Sequence, residues 1–137
     1  MSTWQRTPGT AILERVALLL LCAAYIQGSL TKLLDWPGTL AEMDHFGLRP
    51  SSIFAGAVIT LELACSALVV SGIWRGFGAL VLAAFTLGAT LLALRFWELP
   101  ADTRAGATNA FFEHLGLVGG FLLVALSDLR QPARVVT

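Results

Sequence analysis

Apolar residues along this chain gather into four runs: Ala11 to Leu34, Ser52 to Ile73, Gly76 to Trp97 and Ala110 to Ser127. Each is roughly 18 to 24 residues long, and about 20 suffice for a helix to cross the hydrocarbon core of a bilayer. None shows the two-residue alternation of a half-buried strand. A helix in lipid satisfies its own backbone hydrogen bonds, which an open strand cannot do. The pattern predicts an all-α membrane protein, residues 1–137 forming one four-transmembrane-helix bundle.

The segments between the runs carry turn signals. Pro8 and Gly9 are expected to keep the polar lead out of the first helix. DWPG, Asp35 to Gly38, reads as a turn in which Pro37 opens a new helix. In TLAEMDHF, Leu40, Met43 and Phe46 share a face, which suits a short interfacial helix between the first two spans. Gly47 is placed to end it, and Ser51 or Ser52 to cap the second span. The link Gly72 to Gly76 is so short that the second and third spans must be antiparallel neighbours. Glu98 to Thr108 reads as a long polar loop. The tail after Asp128 is short and basic.

Tryptophan and charge locate the membrane boundaries. Trp4, Trp36, Trp74 and Trp97 fall at the ends of the apolar runs, where indole suits the headgroup layer. Four spans put both termini on one side. That side holds Arg6, Arg15, Arg75, Arg130 and Arg134, against Lys32, Arg49, Arg95 and Arg104 on the other. The small excess predicts that both termini lie in the cytoplasm. The first run is long for a signal-peptide core and begins with Glu14 and Arg15, so it is expected to stay as a helix.

Composition agrees with this class and narrows the partners. The chain is 56% hydrophobic and 13% charged, where soluble domains carry about 25% charged residues. Its mean hydropathy is +0.75. Nine basic residues balance nine acidic ones, so no basic face points to nucleic acid. The expected partners are the lipid bilayer, a membrane or peripheral protein, and a second copy of the chain.

The candidate chemistry lies in polar residues inside the spans. Glu62 falls near the middle of the second, where a charge costs at least about 2.5 to 3.5 kcal/mol and is usually paired or functional. Asn109, Glu113, Gly116 and Gly120 fall on one stripe of the last span. That stripe is expected to turn Glu113 into the bundle. His114 is rotated by about 100° from it. Gln27 and Lys32 stand near the outer end of the first span. Together Gln27, Lys32, Glu62, Asn109, Glu113 and His114 are expected to wall a polar pocket in the outer half of the bundle. Lys32 would neutralise Glu113, and a protonated Glu62 would hydrogen-bond Gln27. Such a pocket admits three readings: a network that only fixes helix register, a site for a polar-headed ligand such as a quinone, or a contact with a partner subunit.

Other chemistry has little support. His45 with Glu42 or Asp44, and His114 with Glu113, offer too few ligands for zinc, so no metal site is assigned. Cys22 and Cys65 sit mid-span without a Cys-x-x-Cys motif. Arg15 and Arg75 read as headgroup anchors. No covalently bound cofactor and no self-contained catalytic motif is expected. LELACSALVVSG, from Leu61, and EHLGLVGGFLLV, from Glu113, share a carboxylate followed by small and apolar residues, as an ancient hairpin duplication would leave.

Five segments in order carry a resemblance: GSLTK at Gly28 to Lys32, FGLRPSS at Phe46 to Ser52, LELACSALVVSG with Glu62 and Gly72, Arg75, and NAFFEHLGLVGG at Asn109 to Gly120. In these the chain resembles the DoxX family of small four-helix membrane proteins. The resemblance implies an accessory or membrane-anchoring subunit of a redox system. One branch of the family is associated with thiosulfate:quinone oxidoreductase and another with oxidative-stress defence complexes. The fold is similar to that of vitamin K epoxide reductase, but the paired cysteines of that chemistry are missing. At Glu113-His114 the chain departs from the polar residues that the family often carries at the position of His114, so the resemblance does not carry thiosulfate activity over directly. The expectation is a quinone-facing or membrane-anchoring subunit of an oxidoreductase system. The alternatives are a scaffold docking a partner through Thr39 to Phe46 and Glu98 to Thr108, or a carrier of a small lipid-like molecule.

Overall fold

A computed structural model describes residues 7–131. The order is α1 (Pro8–Leu34), α2 (Trp36–His45), α3 (Ser51–Ser71), α4 (Arg75–Ala93), a 3₁₀ turn (Phe96–Glu98) and α5 (Ala101–Leu129). Helices α1, α3, α4 (with the 3₁₀ turn) and α5 are long and apolar enough to cross a membrane. Outward-facing leucine, isoleucine and phenylalanine side chains cover all four. These are the chain's lipid-facing surfaces.

The helix ends differ from the pattern-based expectation for local reasons. α1 begins at Pro8 rather than Ala11. Proline at the first helical position gives up an N–H that would have no helical partner anyway, and the Thr7 hydroxyl accepts from the Thr10 N–H at 3.3 Å. DWPG is less a turn than a shared cap. The Asp35 N–H bonds back to Thr31 at 2.9 Å, closing α1, while its carboxylate accepts from the Gly38 N–H at 3.1 Å, opening α2. Ser51 and Ser52 lie inside α3, which follows Pro50 without a side-chain cap. Gly47, at φ 74°, ends α2 as expected. The Leu48 N–H reaches the Met43 carbonyl at 2.9 Å, and the Gly47 N–H reaches Asp44 at 3.0 Å, the paired bonds of a Schellman motif.

The largest correction concerns the long polar loop. α4 ends at Ala93, not Trp97, and α5 starts at Ala101, not Ala110. Most of Glu98 to Thr108 is therefore helical, extending α5 by nine residues, roughly 13 Å. Hydropathy marks where a helix becomes apolar, not where it begins. Pro100 leads into this helix, and Arg104 donates back to the Leu99 carbonyl at 2.9 Å and 3.2 Å. Phe96 packs its edge on Phe111, with ring centroids 5.3 Å apart, and ties the 3₁₀ turn to α5. Trp36, Trp74 and Trp97 lie at helix boundaries. Trp4, Arg6 and Arg134, used above to place the boundaries and the orientation, lie outside the described residues.

The helices pack around a ring: α1 on α3, α3 on α4 and α4 on α5, with α1 and α5 approaching least. The core sits in the half nearest the chain termini, where Cys22, Cys65, Val69, Leu82 and Phe121 are buried. Both cysteines are free and serve as small apolar residues there. The α3–α4 hairpin is drawn tight by Gly78, where an added Cβ would lie 2.9 Å from the Cys65 carbonyl oxygen. Gly72, at φ 86°, and Trp74, at φ 50°, take the left-handed conformations of the reversal. Glycine adopts that region freely and tryptophan does not. Asp128 caps α4 from another helix by accepting from the Gly76 N–H at 2.9 Å. Arg75 is more than a headgroup anchor: its guanidinium bonds the Val69 carbonyl at 2.8 Å and Glu14 at 3.2 Å, joining α1 to the hairpin.

Close approach at Gly78 makes a direct expectation. Gly78→Ala should destabilise the detergent-solubilised protein by about 1–3 kcal/mol through overpacking. Gly56→Ala, in open space on α3, should be neutral or stabilising by up to about 1 kcal/mol. Thermal unfolding of the two variants separates these outcomes, and equal Tm values would contradict a tight α3–α4 contact.

Candidate functional site

The half of the bundle facing α2 is built differently from the core. All five helices contribute to a cavity of about 570 Å³ there. Small residues of α4, Ala84, Gly88 and Ala89, leave the space, and Phe54, Val58 and Leu117 supply apolar walls. Met43 of α2 and Phe46, the residue that caps it, line one edge. α2 is held over the end of α1 by Thr39, whose hydroxyl contacts the Lys32 and Asp35 carbonyl oxygens at 3.0 Å and 2.9 Å.

One side of the cavity carries an ion pair. Lys32 Nζ donates to Glu62 Oε1 at 2.9 Å. Glu62 is 4% exposed, while the lysine side chain keeps 22%. Ser29 donates to the other carboxylate oxygen at 3.4 Å. Gly28, one turn before Lys32, leaves the space beside the pair free of a side chain; a Cβ there would lie 3.5 Å from Lys32 Nζ and 3.6 Å from Glu62 Oε2. Such a pair adds little net stability, because desolvating both charges offsets their attraction. Removing one partner strands the other.

The opposite side carries a hydroxyl and imidazole relay. Thr86 donates to the Leu82 carbonyl at 2.6 Å, and Thr90 to the Thr86 carbonyl at 2.6 Å. Each threonine has one proton and has committed it. The Tyr25 hydroxyl must then donate to Thr86 Oγ1. By the same count His114 Nδ1, 2.9 Å from Thr90 Oγ1, carries the proton and donates. Whenever the ring is neutral, its lone pair is then on Nε2. His114 lines the cavity, so this imidazole is anchored through one nitrogen and left with the other for chemistry.

The six residues expected to wall the pocket divide evenly. Lys32, Glu62 and His114 line the cavity. Gln27, Asn109 and Glu113 are exposed instead. Gln27 donates to Thr31 one turn on, at 2.9 Å, and does not reach Glu62. Lys32 neutralises Glu62, not Glu113. The expected stripe on α5 is turned outward at Asn109, Glu113 and Gly116, where an added Cβ at Gly116 would meet nothing within 4 Å; its last member, Gly120, faces a neighbour. The glycine that meets α1 is Gly120, where a Cβ would lie 3.1 Å from the Leu21 side chain. The α5 face that packs inward carries His114, Leu117 and Phe121.

Sequence reasoning passed over Tyr25, Ser29, Thr86 and Thr90. These are uncharged, and hydroxyl groups are common in membrane helices because they bond back to their own turn. A signal existed in their spacing. Thr86 and Thr90 lie four apart on α4, and Tyr25, Ser29 and Lys32 fall on one face of α1.

Comparison with known proteins places the chain in context. The DoxX family model matches residues 15–95, more than half of the chain. The match includes Lys32 and Glu62 and stops before His114. The chain is 22% identical over 120 residues to the inner membrane protein YphA of Escherichia coli (strain K12), covering 88% of this chain and 84% of that protein. No solved structure matches.

The ion pair yields a thermodynamic test. Lys32→Met strands the Glu62 carboxylate and should destabilise the protein by about 3–5 kcal/mol. Adding Glu62→Gln should restore most of the loss. A double variant as unstable as the single one in thermal unfolding would show that the stranded charge is not the cause.

Proposed function

The chain belongs to the DoxX family of integral membrane proteins, and on that premise we propose that its cavity receives the head of a quinone. In this reading it is the quinone-facing membrane subunit of an oxidoreductase system. One observation carries the reading: an ammonium–carboxylate pair and an imidazole with a committed tautomer line one largely apolar cavity. Ligand sites typically combine apolar walls with a few placed polar groups. The bundle would lie in a bacterial inner membrane with both termini in the cytoplasm.

The residues fit such a head. Lys32, with two N–H bonds left beyond Glu62, can donate to a carbonyl oxygen. His114 Nε2 accepts from a quinol hydroxyl when the ring is neutral and donates to a quinone carbonyl once protonated. Glu62 holds the Lys32 ammonium in place, and Thr90 holds the imidazole plane. A quinone supplies two-electron chemistry, taking two electrons and two protons to become a quinol. The electrons would come from a partner protein of the system.

A second reading rests on a different face. Asn109 and Glu113 stand exposed on the outer side of α5 beside Phe112. A carboxylate on a lipid-facing helix favours a partner that pairs with it. A membrane scaffold would dock its partner, or a second copy of the chain, there.

Mass spectrometry of lipids that co-purify with the detergent-extracted protein separates the readings. Quinone should accompany the wild type and fall by about ten- to a hundredfold in Glu62→Gln and His114→Ala, the scale of one lost charged hydrogen bond. Wild-type protein without quinone, or with quinone indifferent to both changes, would leave the scaffold.

A further inference from the structure

We propose that the cavity is loaded sideways from the bilayer, through the seam between α1 and α5, and that the ligand's apolar chain leaves across Ala24. This rests on the quinone reading of the cavity and adds the route and the ligand class: a carbonyl-headed lipid with a long chain, not a small water-borne molecule.

The seam is the weakly closed side of the ring. α1–α3, α3–α4 and α4–α5 pack extensively, whereas α1 and α5 come close at few positions. Those positions form a floor. The Leu21 side chain presses on Gly120, and Tyr25 meets Phe121 edge-on with ring centroids 5.4 Å apart. On the α2 side of this floor the cavity lies between the two helices. There Ala24 and Gly28 of α1, and His114 and Leu117 of α5, line the cavity from opposite sides of the gap. Ala24 remains exposed although it lines the cavity.

The water-facing side is obstructed by comparison. α2 lies across it, with Met43 buried and Phe46 partly buried. A molecule arriving from water would have to displace α2. One arriving from lipid meets a gap whose α1 wall is an alanine and a glycine four residues apart, on the same stripe as Lys32. The head then reaches Lys32 on one wall and His114 on the other. The chain gains no hydrophobic energy from the seam, since lipid is equally apolar. The small residues act by shape, letting a chain pass out of a cavity that holds its head.

The test uses the full chain in lipid nanodiscs and two probes with the same ring: a benzoquinone bearing a long isoprenoid chain and its tailless counterpart. Ala24→Phe narrows the seam, and Ala24→Leu narrows it less. Leu30→Phe adds bulk on the outer face of α1, away from the cavity. The expected result is long-chain binding weakened about tenfold or more by Ala24→Phe, less by Ala24→Leu and unchanged by Leu30→Phe. Tailless binding should stay within about twofold in all three. Long-chain binding untouched by either Ala24 change would overturn the seam while leaving the quinone reading in place. Equal loss of both probes would do the same, placing Ala24 in the head site. Wild-type protein that binds neither probe would overturn the quinone reading itself.

Discussion

A carboxylate buried well inside an apolar helix has to be answered by a cation, and the arrangement of this bundle follows from how Glu62 is answered. Glu62 lies eleven residues, roughly 16 Å, from the start of α3. Its partner Lys32 lies two residues from the end of α1. Pairing them offsets the two helix ends and leaves a step beside α3. α2 fills that step, fastened by Thr39 to the last turn of α1 and packed against α3. A hydrophobic contact would tolerate a shift of one turn, but a single ion pair in low dielectric does not. The pair joins α1 to α3 beside the seat of α2.

The two halves of the bundle divide their tasks. Toward the termini, small residues and side-chain caps give dense packing: Gly78 against α3, Asp128 on the first turn of α4, and Arg75 bridging Glu14 and the end of α3. Toward α2, the small residues of α4 face space rather than a neighbour, and polar groups take the positions that core residues would hold. The tight half fixes where Tyr25, Glu62 and Thr86 point. Hydroxyl protons already committed to helix carbonyls then fix the tautomer of His114, one relay removed from the backbone. The site is thus oriented by ordinary helix hydrogen bonds, without a dedicated loop.

Polar residues in the spans follow two different rules. Lys32, Glu62 and His114 point inward and are paired. Asn109 and Glu113 point outward on α5, near its more polar first half. Long side chains near a membrane boundary can reach the headgroup layer, so outward charge there is cheaper than charge at mid-span.

The sequence by itself determined the number of spanning helices, the short helix after the first, the tight α3–α4 hairpin and the anomaly of Glu62. These are local properties: run length, turn residues, and a charge among apolar neighbours. Helix starts were legible where the helix begins at a change of hydropathy, as at α3, and not where it begins in polar sequence, which is why the polar first turns of α5 read as a loop. Only the tertiary structure decided which face of each helix looks inward. Residues one position apart differ by about 100° in direction, so Glu113 and His114, adjacent in the chain, fall on opposite sides of that decision. Spacing placed Glu113 on a glycine stripe, but spacing does not say which stripe meets a neighbour. That depends on Leu21 meeting Gly120 and Lys32 reaching Glu62 across the bundle. Such contacts join residues far apart in the chain, and no local pattern encodes them.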